Sequence, residues 1–393
     1  MHLKNSESDL RCALIFLGPF PIGNASSIRI MSYCKALAKK GVFIKVLILA
    51  PTREAKVNKE VSGIHEGVHY QYMTKVTWKN ANASVFTKGC YYLFGLLKSL
   101  KYIRKDKINC LLSYHSNLLS NMFYWMVTRT LSIPFLLDKT EYPYGYYKMS
   151  VLSKKIARFK LLFYDGFIVI SKELETFYKR IKTNIFHLPM SFDMDRYKGY
   201  KRNKVASPYI AVVFGVHNRD GLYESVVAYK KYCDLSPENT YRLVMIGNYN
   251  NLTDKNKIDR YMQDNHLQDK IEIKGLVSIN KVPQILINAD CLLTTPNEYA
   301  SGGFPTKLGE YMLSGVPIVA TSAGEVDKYV THMKDILISQ PGDLDNVASN
   351  ILYLQQNKTI GLLIAENARN KVKKVFNADN YVDELIYFIN KSK

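Results

Sequence analysis

Short apolar runs alternate with amphipathic helical segments along most of this chain. Residues 12–17 and 42–49 are apolar and strand-like, and residues 25–40 between them place apolar side chains at helical spacing. A strand, a helix and a second strand in this order form a βαβ unit, which opens a parallel sheet. The same alternation begins again at residues 209–214 and continues to residues 317–320. The pattern therefore predicts an α/β protein built on parallel sheets.

The chain is long enough for two such sheets. At 393 residues it exceeds what one ordinary core supports, so two domains of roughly 200 residues each are expected. A polar, lysine-rich stretch at residues 197–208 separates the two series of strands and is the predicted linker. We place the first domain at residues 1–203, the second at residues 204–375 and a terminal helical segment at residues 376–393.

Most of the recognisable chemistry lies in residues 294–321, which are predicted to form a strand, a glycine loop, a helix and a strand. Thr306 is the expected N-cap of a short helix that ends at Gly315. The free amides and the dipole of a helix N-terminus bind anions, and Lys307 adds a positive charge there. Glu310 shares a face with Lys307, where its carboxylate could accept hydrogen bonds from a ribose. The alternative is an ordinary βαβ turn with a surface Lys–Glu pair.

The segment GGFPTKLGEYMLSGVPIVAT, residues 302–321, resembles the nucleotide-sugar loop of family 4 retaining glycosyltransferases. It is most similar to bacterial members with the signature G-F-P-x-K-L-x-E-Y followed by G-x-P-[IV]-V. The resemblance implies the GT-B fold, in which two Rossmann-like domains face a central cleft. It also implies a hexosyltransferase-type enzyme of surface polysaccharide biosynthesis. Such an enzyme moves a sugar, with retention of configuration, from a nucleotide-diphosphate sugar to a glycan or lipid-linked acceptor.

The resemblance assigns roles to residues of the second domain. Arg219 and Lys307 are expected to hold the diphosphate, and Glu310 the ribose. The wider family carries a further glutamate where this chain has Gly302, and Glu298 is the nearest candidate to replace it as a catalytic residue. The other expected donor-binding residues are Gly215, Gly303, Phe304 and Thr306.

The first domain resembles the family only in pattern. In and after its first loop, Gly23 is assigned to the donor and Arg29 to the acceptor. His115 follows a predicted strand, and loops at the carboxyl ends of parallel strands face the ligand crevice. The resemblance implies that a histidine here is a catalytic residue that contacts the donor sugar. Glu141, together with Asp138, is assigned to the acceptor. An ordinary strand–helix turn and an ordinary loop histidine are the alternatives for Gly23 and His115.

No metal or cofactor is expected beyond the nucleotide-sugar substrate. Asp193 and Asp195 spell DxD, which binds metal in the other major glycosyltransferase fold. Their position in the segment that leaves the first domain argues against that role here, and the glycine loop already offers a phosphate site without metal. The resemblance further implies that the last helix, near residues 380–390, crosses back to the first domain.

Charge and cysteine content bear on partners and location. Fifty-four Lys and Arg against 34 Asp and Glu give a formal net charge of +20, which indicates an anionic partner. Residues 148–163 form a basic amphipathic helix, which fits peripheral contact with an anionic membrane or, alternatively, a solvated helix packed on the sheet. The scattered cysteines and the lack of a signal-peptide cleavage region favour the cytoplasm. The basic helix would then contact the cytoplasmic face of the membrane.

Two other functions stay open at this point. One is another nucleotide-sugar enzyme of the same fold, such as an epimerase. The other is a non-enzymatic basic protein that binds membrane or nucleic acid, which the net charge suggests. Nucleic acid is not expected as a partner, because no helix-turn-helix, finger or RNA-binding signature is present.

Overall fold

The computed structural model describes residues 9–52, 54–78, 84–144, 149–215, 220–238, 241–298 and 306–393. The chain divides into two compact units. The N-terminal unit comprises Met1–Asp193 and Asn377–Lys393, and the C-terminal unit comprises Met194–Phe376.

The C-terminal unit begins earlier than the predicted residue 204. The side chain of Arg196 forms an ion pair with Glu310, and that of Arg202 forms one with Asp290. The Tyr200 hydroxyl also donates a hydrogen bond to the Asn280 carbonyl at 2.8 Å. These contacts attach residues 196–202 to the C-terminal unit, so the stretch expected to be a linker is part of that unit.

The N-terminal unit is built on an eight-stranded sheet. Its strands are β1 (Arg11–Phe16), β2 (Phe43–Ile48), β3 (Ser62–His65), β4 (Val68–Tyr72), β5 (Cys110–Ser113), β6 (Phe135–Lys139), β7 (Gly166–Val169) and β8 (Ile185–His187). The sheet order is β3-β4-β2-β1-β5-β6-β7-β8. Neighbouring strands are parallel except for the antiparallel pair β3 and β4.

Helices cover both faces of this sheet. They are α1 (Ala25–Lys39), α2 (Val85–Lys105), α3 (Leu118–Leu131), α4 (Val151–Phe159) and α5 (Lys172–Lys179). The connection from β1 to β2 through α1 runs towards one edge of the sheet, whereas the connections through α2, α3 and α4 run towards the other edge. Because parallel crossovers are right-handed, α1 lies on one face of the sheet, and α2, α3 and α4 lie on the opposite face. The predicted helix at residues 148–163 is shorter in the structure, since α4 ends at Phe159 and a 3-10 turn, Lys160–Phe163, follows.

The C-terminal unit contains a six-stranded parallel sheet. Its strands are β9 (Tyr209–Val213), β10 (Arg242–Ile246), β11 (Ile271–Gly275), β12 (Cys291–Thr294), β13 (Ile318–Thr321) and β14 (Leu337–Ser339). The order is β11-β10-β9-β12-β13-β14. Its helices are α6 (Leu222–Leu235), α7 (Lys255–Asp264), α8 (Val282–Asn288), α9 (Thr306–Ser314), α10 (Val326–Tyr329), α11 (Leu344–Gln356) and α12 (Lys358–Val375). The predicted α/β class with parallel sheets is confirmed.

The last helix, α13 (Val382–Lys391), completes the core of the N-terminal unit. Leu385, Phe388 and Ile389 of α13 are buried in one apolar cluster with residues of α1, β1 and β2. The Phe388 ring stacks on Phe186 of β8, with 5.6 Å between ring centroids. The end of the chain is therefore part of the unit to which the resemblance assigned it.

A buried ion pair connects three elements of the N-terminal unit. Arg29 on α1 is 1% exposed, and its guanidinium contacts both carboxylate oxygens of Asp138 on β6 at 2.9–3.1 Å. Its Nη1 donates to the carbonyls of Leu188 and Pro189, just after β8, at 3.1 and 3.0 Å. Burial lowers the pKa of Arg29, but the charge and hydrogen bonds of Asp138, with smaller contributions from Tyr114 and Tyr33, together raise it above its ordinary value.

This geometry corrects the expectation that Arg29 and Asp138 contact an acceptor. Both side chains are almost completely buried, and Arg29 uses its hydrogen-bond donors on Asp138 and on two backbone carbonyls. An acceptor has no surface of either side chain to contact. The pair instead positions α1 against β6 and the end of β8.

We expect Arg29→Met to lower the free energy of unfolding by roughly 3–5 kcal/mol, because Asp138 is left charged and buried without its partner. Urea denaturation measures the change. The double variant Arg29→Met/Asp138→Leu should recover part of the loss, and Arg180→Met, at an exposed arginine, should change stability by less than about 0.5 kcal/mol. Equal stability of wild type and Arg29→Met would contradict a structural role for the pair.

Candidate active site

Each sheet reverses its order beside its first strand, and ligands of such sheets bind at the carboxyl edge of the reversal. In the C-terminal unit the reversal lies between β9 and β12. The chain leaves β9 towards Gly215 and leaves β12 towards Glu298, and α9 begins at Thr306. The sequence-predicted donor residues therefore follow the two strands that flank this reversal.

Two segments of this edge, residues 216–219 and 299–305, lie outside the described residues. They contain Arg219, Gly303 and Phe304, whose donor-binding roles stay predictions. Thr306 and Lys307 occupy the first turn of α9, so the helix includes Thr306, which was expected as its N-cap. Tyr311 of α9 is buried, and its hydroxyl accepts a hydrogen bond from the Val213 amide at 2.7 Å, which attaches α9 to the end of β9.

Asp220 connects the two loops at this edge. Its Oδ2 accepts a hydrogen bond from the Gly215 amide at 2.6 Å and forms an ion pair with Lys307 Nζ. The predicted donor residues Gly215 and Lys307 thus contact the same carboxylate. The sequence did not single out Asp220, although it shows an acidic residue directly before Gly221, the glycine that precedes α6.

The backbone packs closely beside Asp220. Gly221 has φ +67°, and a Cβ at this position would lie 1.9 Å from the Thr295 carbonyl oxygen. The Thr295 hydroxyl donates to the Gly221 carbonyl at 2.7 Å and also bonds to the Ser225 hydroxyl at 2.7 Å. Only glycine has both the conformation and the space required here, so the loops after β9 and β12 are held together by this contact.

Glu310 lies three residues after Lys307 on the same helix. Its Oε1 accepts a hydrogen bond from Arg196 Nε at 2.7 Å, and both side chains are about one-fifth exposed. The ion pair fixes the direction of the carboxylate that was predicted to bind a ribose. Arg196 was missed because a partner more than 100 positions away leaves no local signal.

Glu298, the candidate for the family's missing glutamate, is exposed in the structure. Its neighbour Asn297 donates a hydrogen bond to Glu224 Oε1 on α6 at 2.8 Å. The catalytic role of Glu298 stays a prediction, since the loop that joins it to α9 lies outside the described residues.

His115 lies at the corresponding reversal of the N-terminal unit, between β1 and β5. Its Nδ1 accepts a hydrogen bond from the Leu17 amide at 3.2 Å, which leaves the proton of the neutral ring on Nε2. Burial and, to a smaller extent, the charge of Lys139 lower the pKa of His115 to about 4. At neutral pH His115 is therefore an uncharged hydrogen-bond donor, which suits contact with a sugar hydroxyl.

Two further assigned residues have identifiable surroundings in this unit. A Cβ on Gly23 would lie 2.3 Å from Ser27 Oγ and 2.7 Å from the Pro19 carbonyl oxygen, so close packing explains a glycine there. Glu141 is partly buried, and its carbonyl accepts a hydrogen bond from the Tyr178 hydroxyl at 3.2 Å. The donor role of Gly23 and the acceptor role of Glu141 stay predictions.

Comparison with known sequences identifies the unit around Lys307. Residues 208–357 match the family described as Glycosyl transferases group 1. This match covers less than half of the chain and lies within the C-terminal unit. A curated relative, the amylovoran biosynthesis glycosyltransferase AmsK of Erwinia amylovora, is 26% identical over 117 residues. That match spans 29% of this chain and 29% of the relative, so it concerns a segment of each protein.

Solved structures resemble both units of this chain. The sucrose-phosphate synthase (tll1590) from Thermosynechococcus elongatus matches with a TM-score of 0.75 at 15% identity, covering 98% of this chain and 100% of that chain. Anabaena Alr3699/HepE, in complex with UDP and glucose, matches with a TM-score of 0.71 at 13% identity, covering 97% and 99%. At this identity the matches establish the fold, and the predicted GT-B fold is confirmed.

Two features of the described residues concern metal and membrane. Within the described ranges, no group of three or more His, Cys, Asp or Glu side chains is arranged to hold a metal ion. No helix in the described part of the chain is long and apolar enough to cross a bilayer. That the chain works without metal stays a prediction.

We expect Asp220→Asn to bind inorganic pyrophosphate roughly three- to tenfold more tightly than wild type, because the carboxylate that competes for Lys307 is lost. The shift of the thermal unfolding midpoint with pyrophosphate concentration measures this affinity. Asp259→Asn, which removes a carboxylate paired with Lys255 on α7, is the matched control and should behave as wild type. Equal or weaker binding by Asp220→Asn would contradict an anion site at Lys307.

The lowered pKa of His115 gives a pH-dependent stability. Below the ordinary histidine pKa of about 6.5 the unfolded chain takes up a proton that the folded chain accepts only near pH 4, so the folded state loses stability as the pH falls through this window. The unfolding free energy of wild type should therefore fall more than that of His115→Gln between about pH 7 and about pH 4.5. His332→Gln, in the C-terminal unit, controls for the loss of one histidine. Identical pH dependence of wild type and His115→Gln would show that this ring is not held neutral.

Proposed function

We propose that this chain is a retaining glycosyltransferase. It transfers a sugar from a nucleotide-diphosphate sugar to a hydroxyl of a glycan or lipid-linked acceptor. The observation that supports this most directly is the placement of Lys307, the start of α9 and Glu310 beside the β9–β12 reversal, inside the matched glycosyltransferase domain. An anion site and a fixed carboxylate one helical turn apart fit a diphosphate linked to a ribose.

The diphosphate end of the donor is the part that needs charge stabilisation. Amides in the first turn of α9, with Lys307 and the predicted Arg219, supply positive charge where negative charge develops on the departing group. Asp220 holds Lys307 in this region before the donor binds. When the diphosphate arrives, its oxygens take over part of the interaction that the lysine makes with Asp220.

Glu310 binds the ribose in this proposal. Its pairing with Arg196 orients the carboxylate, and the remaining acceptor capacity of a carboxylate suffices for hydroxyl donors. His115 contacts the sugar through its Nε2 hydrogen, Glu298 is the candidate catalytic carboxylate, and Glu141 contacts the acceptor.

The proposed reaction breaks one bond and forms one on the same face of the sugar. The acceptor oxygen bonds to the anomeric carbon as the bond from that carbon to the diphosphate oxygen breaks. The departing diphosphate receives the acceptor proton, so the configuration is retained and no pair of catalytic carboxylates is needed. Side-chain cations and helix amides carry the charge, and the reaction as proposed includes no metal or cofactor.

The relatives suggest which donor and which role to test first. One structural relative was solved with UDP and glucose, which makes UDP-glucose the first donor to try. The curated relative is a glycosyltransferase of amylovoran biosynthesis, which supports the proposal that this chain assembles a surface polysaccharide.

We expect Lys307→Ala and Glu310→Ala each to lower kcat/KM by roughly a hundredfold or more, since each removes a preorganised donor contact. Nucleotide-diphosphate release and calorimetric donor binding, measured over a panel of nucleotide sugars, report the effect. Lys230→Ala is the matched control, because it breaks an exposed ion pair with Asp234 towards the other end of α6.

Each result has a defined meaning. Loss of donor binding in both site variants, with Lys230→Ala unchanged, supports the proposal. Unchanged kinetics in both would overturn the site. A sugar product formed without any acceptor would identify an epimerase instead, and a folded wild type that binds no donor would favour the non-enzymatic binding protein.

A further inference from the structure

Three helices of the N-terminal unit expose an unusual amount of apolar surface. We define the three-helix surface as the solvent-facing side of α2, α3 and α4 with the turn Lys160–Phe163. Of the large apolar side chains that are exposed in the described part of the chain, more than half belong to it. They are Val85, Phe86, Leu93, Phe94, Leu97, Leu118, Leu119, Met122, Trp125, Met126, Leu131, Val151, Leu152, Ile156, Phe159 and Leu162. A concentration of this kind on one face indicates a contact surface.

The helix α3 is inverted relative to an ordinary surface helix. Its solvent side carries Leu119, Met122, Trp125 and Met126, of which Met126 is 54% exposed. Its buried residues are Ser120, Asn121, Tyr124 and Thr128. A helix that covers a sheet normally directs its apolar stripe inwards and its polar residues to water. The reversed arrangement is the feature that most needs an explanation.

Hydrogen bonds hold the inverted helix in place. The Tyr124 hydroxyl bonds to Ser99 of α2 at 2.9 Å, and Asn121 Nδ2 donates to the Lys160 carbonyl at 2.9 Å. Asn121 Oδ1 accepts from the Tyr164 hydroxyl at 2.6 Å. The buried polar groups therefore connect α3 to α2 on one side and to the turn after α4 on the other. The three helices form one continuous layer with its apolar side turned to solvent.

The charge of this layer has one sign. Residues 85–105, 118–131 and 151–163 contain ten Lys and Arg and no Asp or Glu. The nearest acidic residues, Asp106 and Asp165, are paired with Lys45 and Arg129. Exposed cations, including Lys101, Arg104, Lys105 and Lys155, border the apolar side chains. The surface therefore offers apolar contact surrounded by positive charge.

A hollow of about 500 Å³ opens between α4 and α5 at the edge of this surface. Its lining includes the apolar side chains Phe159, Leu162 and Ile181 and the cations Lys155 and Arg180. An apolar floor beside cations has the chemistry to hold a negatively charged headgroup with the start of its acyl chains.

We propose that the three-helix surface binds an anionic lipid bilayer. A protein partner or a second copy would cover the apolar side chains equally well. Neither accounts for three helical segments that carry ten Lys and Arg and no Asp or Glu, and the same positive surface on a second copy would be repelled. Anionic lipid satisfies both features, because apolar side chains enter the acyl boundary while Lys and Arg remain at the headgroups. The sequence suggested this for residues 148–163 alone, and the structure adds the outer faces of α2 and α3.

The surface lies next to the candidate site of its own unit. α3 begins two residues after Ser116, which directly follows His115, so the helix starts at the sheet edge where the sugar contact is proposed. This step rests on the proposed function: a lipid-linked acceptor held in the bilayer would be presented at that edge. The binding of the bilayer itself does not depend on catalysis.

The test is flotation of the full chain with phosphatidylcholine vesicles that contain or lack phosphatidylglycerol. Wild type should bind the anionic vesicles, and high salt should weaken the binding. Leu119→Ser/Met126→Ser should bind roughly tenfold more weakly because it removes apolar contact, and Lys155→Gln/Arg180→Gln roughly tenfold more weakly because it removes charge attraction. Matched controls are Leu362→Ser/Leu363→Ser on α12, whose side chains are similarly exposed, and Lys201→Gln/Lys204→Gln.

The controls should bind vesicles as wild type does. Sedimentation without vesicles tests the other occupants: a dimer that Leu119→Ser/Met126→Ser dissociates would overturn the proposal in favour of a second copy. Equal loss of binding in the control variants would also overturn the bilayer proposal. So would vesicle binding that does not depend on phosphatidylglycerol, or tighter binding to an oligonucleotide than to vesicles. Donor binding is measured in parallel, so a failed donor site and a failed membrane surface give different results.

Discussion

The reversal of strand order beside the first strand of each sheet is the constraint on which the rest of this structure depends. Right-handed crossovers place helices on both faces of each sheet and leave a gap between two loops at the carboxyl edge of the reversal. In the N-terminal unit the Leu17 amide and His115 meet across that gap. In the C-terminal unit the backbones of Gly221 and Thr295 meet across it. Both candidate sites are therefore consequences of topology before any side chain is considered.

Ion pairs then determine which side chains are presented at these edges. Lys307 and Glu310 are one helical turn apart, and each has an oppositely charged partner, Asp220 or Arg196. A lysine and a glutamate on an exposed helix would otherwise sample many rotamers, at an entropic cost when a ligand orders them. The partners reduce that cost, although Asp220 also competes with an anionic ligand for the lysine. Preorganisation and competition are thus two effects of the same carboxylate.

The sequence predicted features that depend on neighbouring residues, but it did not predict which residues distant in sequence form ion pairs. The apolar alternation predicted the α/β class, and the spacing of Lys307 and Glu310 predicted that they share a helix face. Arg29 was misassigned because a helical pattern does not reveal which polar residue finds a buried partner, here Asp138 on β6. Asp220 and Arg196 were missed for the same reason. Sequence reasoning therefore placed residues such as Lys307 and Glu310, which are one turn apart on the same helix, and did not find partners that are distant in sequence.

The inversion of α3 has the same origin, and it also carries an energetic argument. The apolar periodicity of residues 118–131 specifies a stripe but not the side of the helix that meets the sheet. Burying Asn121 and Thr128 with hydrogen bonds gives little net stability, whereas burying Met122 and Trp125 would give more. Folding stability alone would therefore favour the opposite rotation of the helix. The observed rotation is favoured when the apolar side gains a contact outside the unit, and the bilayer contact that we propose matches the absence of acidic residues along α2, α3 and α4.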